Sequence, residues 1–198
     1  MKNLIIRSAE GEDAASIAKL LYSTEDNPAL EWGQGSKSEI LERLETLVKD
    51  PNNRYSYKYA KVAIYEDKVC GVILAFPAYK FNELNKSSSK LLLSMQKGLK
   101  NKVLYFFDTI IGRLIKECEI GEFYISNIAT DENHRGMGMG RILMEEGEKL
   151  AKTYKLNKCS LLAKDKFVMK FYNKLNYEFI KTESLLNICS YNKMVKIV

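Results

Sequence analysis

The chain has 198 residues, of which 46% are hydrophobic and 28% are charged, and its formal net charge is +6. The apolar residues suffice for one buried core, whereas the scattered charges exclude a fibrous protein and interrupt every stretch that could reach the roughly 18 apolar residues of a membrane span. Charge also returns at Arg7 and Glu10 before a signal-peptide core could form, so we expect a cytoplasmic protein with no membrane partner.

The first half of the chain combines helical and strand patterns. The predicted elements are, in order, a strand at 4–6, a helix that includes 17–21, a loop at 23–35, a helix at 40–48, and strands at 57–65 and 68–76. Only Glu66 and Asp67 separate the last two strands, which is the spacing of a tight antiparallel hairpin.

The second half begins with residues 78–120, whose apolar positions recur at helical spacing throughout. The elements predicted after it are a strand at 123–130, a glycine-rich turn, a helix through 143–154, a strand at 158–163, a helix at 167–175, and strands at 177–181 and 190–197. Mixed helices and strands without an internal repeat indicate a single α/β domain over residues 1–198.

The four cysteines are spread through the chain without a Cys-x-x-Cys pair, and His134 is the only histidine. A metal site is therefore not expected, and the chain needs no disulfide. Cys70, Cys159 and Cys189 lie in apolar, strand-like runs. Small buried hydrophobic residues are the better interpretation of these three than reactive thiols.

The strongest motif is the run 133–141, Asn-His-Arg-Gly-Met-Gly-Met-Gly-Arg, which stands where a strand pattern gives way to an amphipathic helix. Glycine permits positive φ and close approach of the backbone, so N–H groups can point outward at the start of the helix, where the dipole favours an anion. The run therefore predicts a phosphate-binding turn. It is neither a P-loop, which ends in Gly-Lys-Ser/Thr, nor a dinucleotide fingerprint, which needs a small residue in place of Arg141.

Within this run, Arg135-x-x-Gly138-x-Gly140 resembles the Arg/Gln-x-x-Gly-x-Gly/Ala signature of the GNAT family of N-acetyltransferases, whose acyl donor is acetyl-coenzyme A. The segment 171–177 resembles the family's later aromatic-Tyr-x-x-x-Gly-Phe run, with Asn176 and Tyr177 in place of Gly and Phe. Asparagine tolerates the left-handed conformation that glycine supplies at a helix end, so this departure is chemically mild.

The resemblance implies a mixed, mainly antiparallel central sheet of about seven strands with helices on both faces, an α/β fold of the α+β kind. The segment 78–120 is longer than is usual in the family and becomes a helical insertion between the third and fourth strands. The cofactor slot is expected where the fourth and fifth strands part.

The resemblance also implies a set of contacts with acetyl-coenzyme A. The backbone of Ile128, Ala129 and Thr130 would pair with the pantetheine arm. The pyrophosphate would lie against the turn formed by Arg135, Gly136, Met137, Gly138, Met139, Gly140 and Arg141. Asp165, ahead of the segment 171–177, and Asn173 within it complete the predicted contacts, although Asp165 stands where the family often has asparagine.

Three residues are candidates for the chemistry itself. Tyr172 matches the family tyrosine that is often placed to protonate the leaving thiolate, a role that suits a hydroxyl with a pKa near 10; the alternative is a core aromatic. Glu122 is the only carboxylate at the entrance of the fourth strand and is the candidate base, although a solvated strand-end charge is the favoured interpretation. Asn127 could orient a water molecule.

Two further features lie outside the motifs. His134 precedes the signature arginine, and a role at the surface or beside the phosphates is favoured over catalysis. Trp32, with Glu25, Asp26 and Glu31 beside it, could form the wall of an acceptor pocket for a cationic amine. An ordinary acidic loop explains this segment nearly as well.

The expected activity is direct transfer of an acetyl group from acetyl-coenzyme A to the primary amine of a small molecule. No cysteine lies in the glycine turn or in 123–130, so no acyl-enzyme is expected. The alternatives are a non-catalytic, coenzyme A-binding regulatory or interaction protein of the same fold, and a protein or peptide N-acetyltransferase. The charge of +6 is mild, and nucleic acid is not an expected partner.

The segment 78–120 and the loop 23–35 are the expected sources of acceptor specificity. Within the first of them lies the apolar run 91–118. It is apolar on more than one side, so it either covers the sheet edge as part of the acceptor pocket or buries a face against a second subunit in a homodimer. A lid with an acceptor role is the favoured alternative.

Overall fold

The structure, a computed structural model, describes residues 4–185 and 189–198. Its centre is one seven-stranded sheet in the order β1-β2-β3-β4-β5-β7-β6, in which only β4 and β5 are parallel neighbours. The strands are β1 (Ile5–Ser8), β2 (Ala60–Tyr65), β3 (Lys68–Pro77), β4 (Phe123–Thr130), β5 (Lys158–Ala163), β6 (Glu178–Leu185) and β7 (Cys189–Ile197). The expected fold, mixed and mainly antiparallel, is therefore confirmed.

Helices cover both faces of the sheet. They are α1 (Ala14–Tyr22), α2 (Pro28–Trp32), α3 (Lys37–Lys49), α4 (Phe81–Met95), α5 (Gly98–Gly112), α6 (Met139–Thr153) and α7 (Lys166–Asn173). Two hydrophobic clusters lie under them, because side chains alternate along β3: Val72 and Leu74 join the α1 and α3 side, whereas Ile73 and Ala75 join the α6 and α7 side. Buried on both faces, β3 forms the middle of the core.

The hairpin between β2 and β3 agrees with the sequence pattern. Glu66 and Asp67 both have positive φ, 49° and 61°, as a two-residue turn of the primed type requires. Residues 57–59 differ from the expectation, because they form a 3-10 turn rather than the beginning of β2. Ser56 causes the difference, since its side chain accepts a hydrogen bond from the Lys58 backbone N–H and caps the turn.

The segment 23–35 is not wholly a loop, since it contains α2. Pro28 stands at the start of the helix, where its missing N–H costs nothing, and Trp32 anchors the end of the helix in the core. The Trp32 ring has no exposed surface and packs between Tyr22 and Tyr55. The expectation that Trp32 forms a wall of an acceptor pocket is therefore wrong.

The insertion 78–120 contains the two helices α4 and α5, which are interrupted at Gln96 and Lys97. The Gln96 side chain caps the end of α4 by donating to the Leu92 carbonyl at 3.0 Å. The outer face of α5 exposes large apolar side chains, among them Phe106 and Phe107. Within residues 4–185 and 189–198, no helix is long and apolar enough to cross a membrane.

The cysteine side chains follow the expectation where they are described. Cys70 and Cys159 are buried in the sheet, and Cys118 is half-buried beyond α5. The side chain of Cys189 lies outside the described residues.

Candidate functional site

The site begins where β4 and β5 separate. The two strands pair only at Phe123 with Cys159 and at Tyr124 with Ser160. Beyond those pairs β4 continues along β3 to Thr130, while β5 continues along β7. The backbone groups on the β5 side of residues 127–130 therefore have no strand partner, which leaves a slot between two ordered strands.

A bulge re-aims β4 at the mouth of this slot. Leu74 pairs with Asn127 and Ala75 with Ile125, so Ser126 is an extra residue on β4. The Ser126 hydroxyl accepts a hydrogen bond from Arg54 at 3.0 Å and donates one to the Asn127 side chain at 2.8 Å. These bonds fix the side chains at the point where the strands part.

A cavity of ≈ 560 Å³ occupies the slot and extends away from it. One end is lined by β4 residues 127–130, by Arg135, and by side chains of β5 and α7. The other end is lined by the loop between α1 and α2, by the inner face of α5, including Ile111, and by Ile115 just after that helix. The insertion thus contributes one wall of the cavity.

The glycine turn lies directly after the β4 end of the slot. Gly136 and Gly138 have φ of 82° and 74°, the left-handed region that favours glycine, and Gly138 is the N-cap of α6. The Met139 side chain is buried and anchors the first turn of α6, so only its backbone can face a ligand. Arg135 is exposed, whereas Arg141 bonds Glu145 at 2.9 Å one turn along the helix.

Tyr172 is the tyrosine that reaches the cavity from α7. It is 6% exposed, and burial raises the pKa of its hydroxyl, so the hydroxyl stays protonated in the neutral pH range. Asp165 caps the same helix by accepting a hydrogen bond from the Val168 N–H at 2.7 Å, and Asn173 is exposed near its end. Asn176 has φ of 65°, the left-handed conformation expected from the sequence.

Glu122 is not the solvated charge that the sequence predicts, and it does not line the cavity. It is 1% exposed and lies between Lys158, at 2.9 Å, and Lys193, at 3.1 Å. Burial opposes its ionisation, but hydrogen bonds from Lys158, Ser160, the Glu119 backbone N–H and Lys193 outweigh that effect and lower the pKa of its carboxyl. This ion pair ties β5 and β7 to the start of β4, so Glu122 holds the sheet together rather than acting on a ligand.

His134 is half-buried at the glycine turn and does not line the cavity. Its Nδ1 lies 3.3 Å from the Asp131 carboxylate, its Nε2 lies 4.0 Å from the Cys70 sulfur, and its ring packs edge-on against Tyr65. These contacts fix the start of the turn.

Three carboxylates besides Glu117 line the far end of the cavity: Glu25, Glu31 and Asp108. None of them forms a salt bridge within the part of the chain that the structure describes. Burial, reinforced by the nearby charge of Glu31, raises the pKa of Glu25 to about 7. Burial also raises the pKa of Asp108. This end of the cavity suits a cation.

A buried ion pair supports the same end. Arg54 donates to both oxygens of Glu117, at 2.9 Å and 2.6 Å, and the Tyr124 hydroxyl donates to Glu117 at 2.6 Å. Burial opposes ionisation of Glu117, but the Arg54 guanidinium outweighs it and lowers the pKa of the carboxyl. The pair joins the segment after α5 to β4 through Ser126.

Sequence patterns identified one end of this site better than the other. Asn127, Ile128, Ala129, Thr130, Arg135 and Tyr172 all line the cavity. Arg54, Asp108 and Glu117 were missed, because each is an isolated charge in a helical or loop segment without a motif. Glu25 and Glu31 carried a signal, the acidic run beside Trp32, although the tryptophan itself faces the core.

The family model described as the acetyltransferase (GNAT) family matches residues 22–177. This range contains the glycine turn, the slot between β4 and β5, and Tyr172. A comparison with curated protein sequences finds no match.

Solved structures resemble the chain over nearly its whole length. An N-acetyltransferase from Staphylococcus aureus Mu50 is 25% identical with a TM-score of 0.78, covering 97% of this chain and 100% of its own. A structure described as an acetyltransferase is 24% identical with a TM-score of 0.74, covering 98% and 99%. An agmatine N-acetyltransferase is 13% identical with a TM-score of 0.61, covering 100% of both chains.

Proposed function

The chain belongs to the acetyltransferase (GNAT) family and is an acyltransferase, and from that premise we propose that it transfers the acetyl group of acetyl-coenzyme A to the primary amine of a small molecule. The observation that carries this proposal is the cavity itself. It joins the slot between β4 and β5 to an end lined by carboxylates, so a donor and a cationic acceptor can meet in one cavity.

The residues of the slot fit coenzyme A. Residues 128–130 offer backbone N–H and C=O groups without a strand partner, which suits the amides of a pantetheine arm. Gly136 and Gly138 hold the left-handed turn that begins α6, where N–H groups and the helix dipole favour phosphate. Arg135 and Arg141 would add positive charge beside the pyrophosphate, and Arg141 would exchange its bond with Glu145 to do so.

Acetyl-coenzyme A supplies a thioester, which is an activated acyl group. The chain has to orient this group, accept protons from the amine and return one to the thiolate. Tyr172 lines the cavity, and its hydroxyl remains protonated because burial raises its pKa. It is therefore suited to give its proton to the departing sulfur. Asp165 and Asn173 remain predicted cofactor contacts of α7.

Direct transfer is favoured over an acyl-enzyme. Cys70, Cys118 and Cys159 do not line the cavity, and burial raises the pKa of all three thiols, in Cys118 and Cys159 to about 12. A thiol that stays protonated is a poor nucleophile. The amine is thus expected to attack the thioester carbonyl itself, and Asn127, at the bulge, could orient a water molecule near it.

A small acceptor agrees with the shape of the site. The inner face of α5 and the loop between α1 and α2 line the acceptor end from two sides, whereas a protein or peptide substrate would require an open groove. Glu25, Glu31 and Asp108 supply negative charge for an ammonium group. A coenzyme A-binding regulatory protein would not need this second, acidic end.

The test is a pair of measurements on the intact protein. Calorimetry with coenzyme A measures binding at the slot, and thiol release from acetyl-coenzyme A with a panel of primary amines measures transfer. We expect binding without any amine and thiol release only with one. Binding of coenzyme A without thiol release for any amine would favour the regulatory alternative.

A further inference from the structure

The loop between α1 and α2 brings a carboxylate of unusual surroundings into the cavity. We propose that Glu25 is the catalytic base of the transfer, accepting a proton from the ammonium group of the acceptor so that the nitrogen can attack the thioester. This inference rests on the proposed function, since it assigns a residue to the amine half of the same reaction. Glu25 takes the role of candidate base from Glu122, which does not line the cavity.

Glu25 stands at the acidic end of the cavity, on a loop that an ion pair ties to the slot. Its half-buried side chain lines the cavity, and its hydrogen-bond partner is the Thr24 hydroxyl at 3.4 Å. The next residue, Asp26, bonds Lys164 at 3.0 Å. Because Lys164 follows β5 directly and itself lines the slot, this ion pair ties the Glu25 loop to the strand end where the thioester would lie.

The other carboxylates of the region are less suited to the role. The Tyr55 hydroxyl donates a short hydrogen bond to Glu31, which occupies that carboxylate. Glu117 is held by Arg54 and Tyr124, and the low pKa of its carboxyl makes it a weak base. Asp108 stands on α5, which belongs to the insertion and not to the loop that Lys164 ties to the end of β5.

Burial and the charges that surround Glu25 bring the pKa of its carboxyl close to neutral pH. Loss of solvent raises its pKa first, and the negative charge of Glu31 on α2 raises it further, whereas Lys164 at the end of β5 lowers it. Asp26 on the same loop also raises it, and Asp108 faces the cavity from α5. The result is a pKa of about 7, close to the ideal for a group that must accept a proton at neutral pH and release it again.

The step balances in atoms and electrons. An N–H bond of the ammonium breaks and its proton goes to a carboxylate oxygen of Glu25, which frees the nitrogen lone pair. The nitrogen forms the N–C bond with the acetyl carbonyl carbon, and the C–S bond breaks with its electron pair on sulfur. Tyr172 gives its proton to the thiolate, and the second proton that the nitrogen loses as the amide forms restores the Tyr172 hydroxyl. The proton on Glu25 returns to solvent.

The experiment measures kcat/KM for thiol release against pH in the intact enzyme. In the wild type we expect kcat/KM to rise through about pH 7 as Glu25 ionises. Glu25→Gln should lower kcat by about 10²–10⁴-fold and abolish this rise. A fall at higher pH, as the free amine loses its proton near a pKa of about 10, should be the same in every variant that retains Glu25.

Variants of two neighbouring residues should shift the pKa of Glu25, and with it the pH profile of kcat/KM, in opposite directions. A merely structural role of Glu25 would give no such shifts. Glu31→Gln removes a negative charge, so the pKa of Glu25 and the rise in kcat/KM should move to lower pH. Lys164→Met removes a positive charge, so both should move to higher pH. Glu42→Gln is the matched control, because it removes an exposed carboxylate of α3 outside the cavity and should leave the profile unchanged.

Direct titration of the Glu25 carboxyl by NMR supplies a reading that does not depend on turnover, and a midpoint near the kinetic one supports the assignment. Wild-type turnover with an unchanged profile in Glu25→Gln overturns the inference while leaving the proposed function intact. Complete absence of wild-type turnover with every amine refutes both.

Discussion

The buried ion pair between Arg54 and Glu117 provides a prediction whose magnitude follows from the contacts. Arg54 makes two bonds to Glu117, one to Ser126 at 3.0 Å and one to Asn85 at 3.2 Å. Replacing it by methionine keeps much of the side-chain volume but leaves the Glu117 carboxylate with only the Tyr124 hydroxyl. The two side chains are 8% and 19% exposed, so solvent can compensate little of the loss.

Breaking a buried pair in this way costs about 3–5 kcal/mol of the free energy of unfolding. In a chain of this size each kcal/mol lowers Tm by about 2–4 °C, so Arg54→Met should lower Tm by roughly 6–20 °C at pH 7. In the wild type the pair lowers the pKa of Glu117, so its stabilisation is present above the ordinary carboxyl pKa and is lost as pH falls through the lowered one. The difference between wild type and variant should therefore narrow in acid.

The assay is denaturant unfolding and calorimetry of Arg54→Met, Glu117→Gln and the double variant. We expect the double variant to be more stable than Arg54→Met by about 1–3 kcal/mol, since the uncompensated carboxylate is gone. Lys49→Met, which breaks only an exposed pair with Glu45, should cost less than about 1 kcal/mol. An Arg54→Met variant as stable as Lys49→Met, with no recovery in the double variant, would refute the reasoning.

Two predictions concern the cofactor end. Gly138→Val should weaken coenzyme A binding at least tenfold in calorimetry, because valine is strained at a φ of 74° and the turn must rearrange. The control is Gly11→Ala, whose added methyl group meets no atom within 4 Å and which should bind coenzyme A as the wild type does. Equal affinity of the two variants would show that the phosphates bind elsewhere. Tyr172→Phe should lower kcat about 10²-fold or more while the Kd for coenzyme A changes less than about twofold, with the exposed Tyr79→Phe as control. Unchanged kcat in Tyr172→Phe would assign the proton to another donor.

Local patterns predicted the sheet well because the local physics is strong. The bounds 123–130 and 158–163 are those of β4 and β5, and the pair Glu66-Asp67 forms the hairpin turn. The glycine turn was visible because positive φ at two positions almost requires glycine. In the segment 23–35, a helix forms because Trp32 is buried in the core. A local pattern of turn residues does not reveal such burial.

The acceptor end could not be predicted because its residues meet only through the tertiary fold. Arg54 and Glu117 are 63 residues apart in the chain, and neither stands in a motif. Glu122 was interpreted as a solvated charge, because a charge at a strand end is ordinarily exposed. In the structure it is buried beside Lys158 and Lys193, which come from strands far along the chain. The approach of such charges depends on the packing of the insertion and of β7, not on spacing.

The central claim is that one cavity joins an acetyl donor in the β4–β5 slot to a small amine at the acidic end. The most direct measurement is mass spectrometry of the amines after incubation with the protein and acetyl-coenzyme A, with thiol release counted in parallel. The account predicts that at least one small primary amine gains a single acetyl group, one for each thiol released, only when both components are present. Thiol release with no acetylated amine, or coenzyme A binding with neither product, would contradict it.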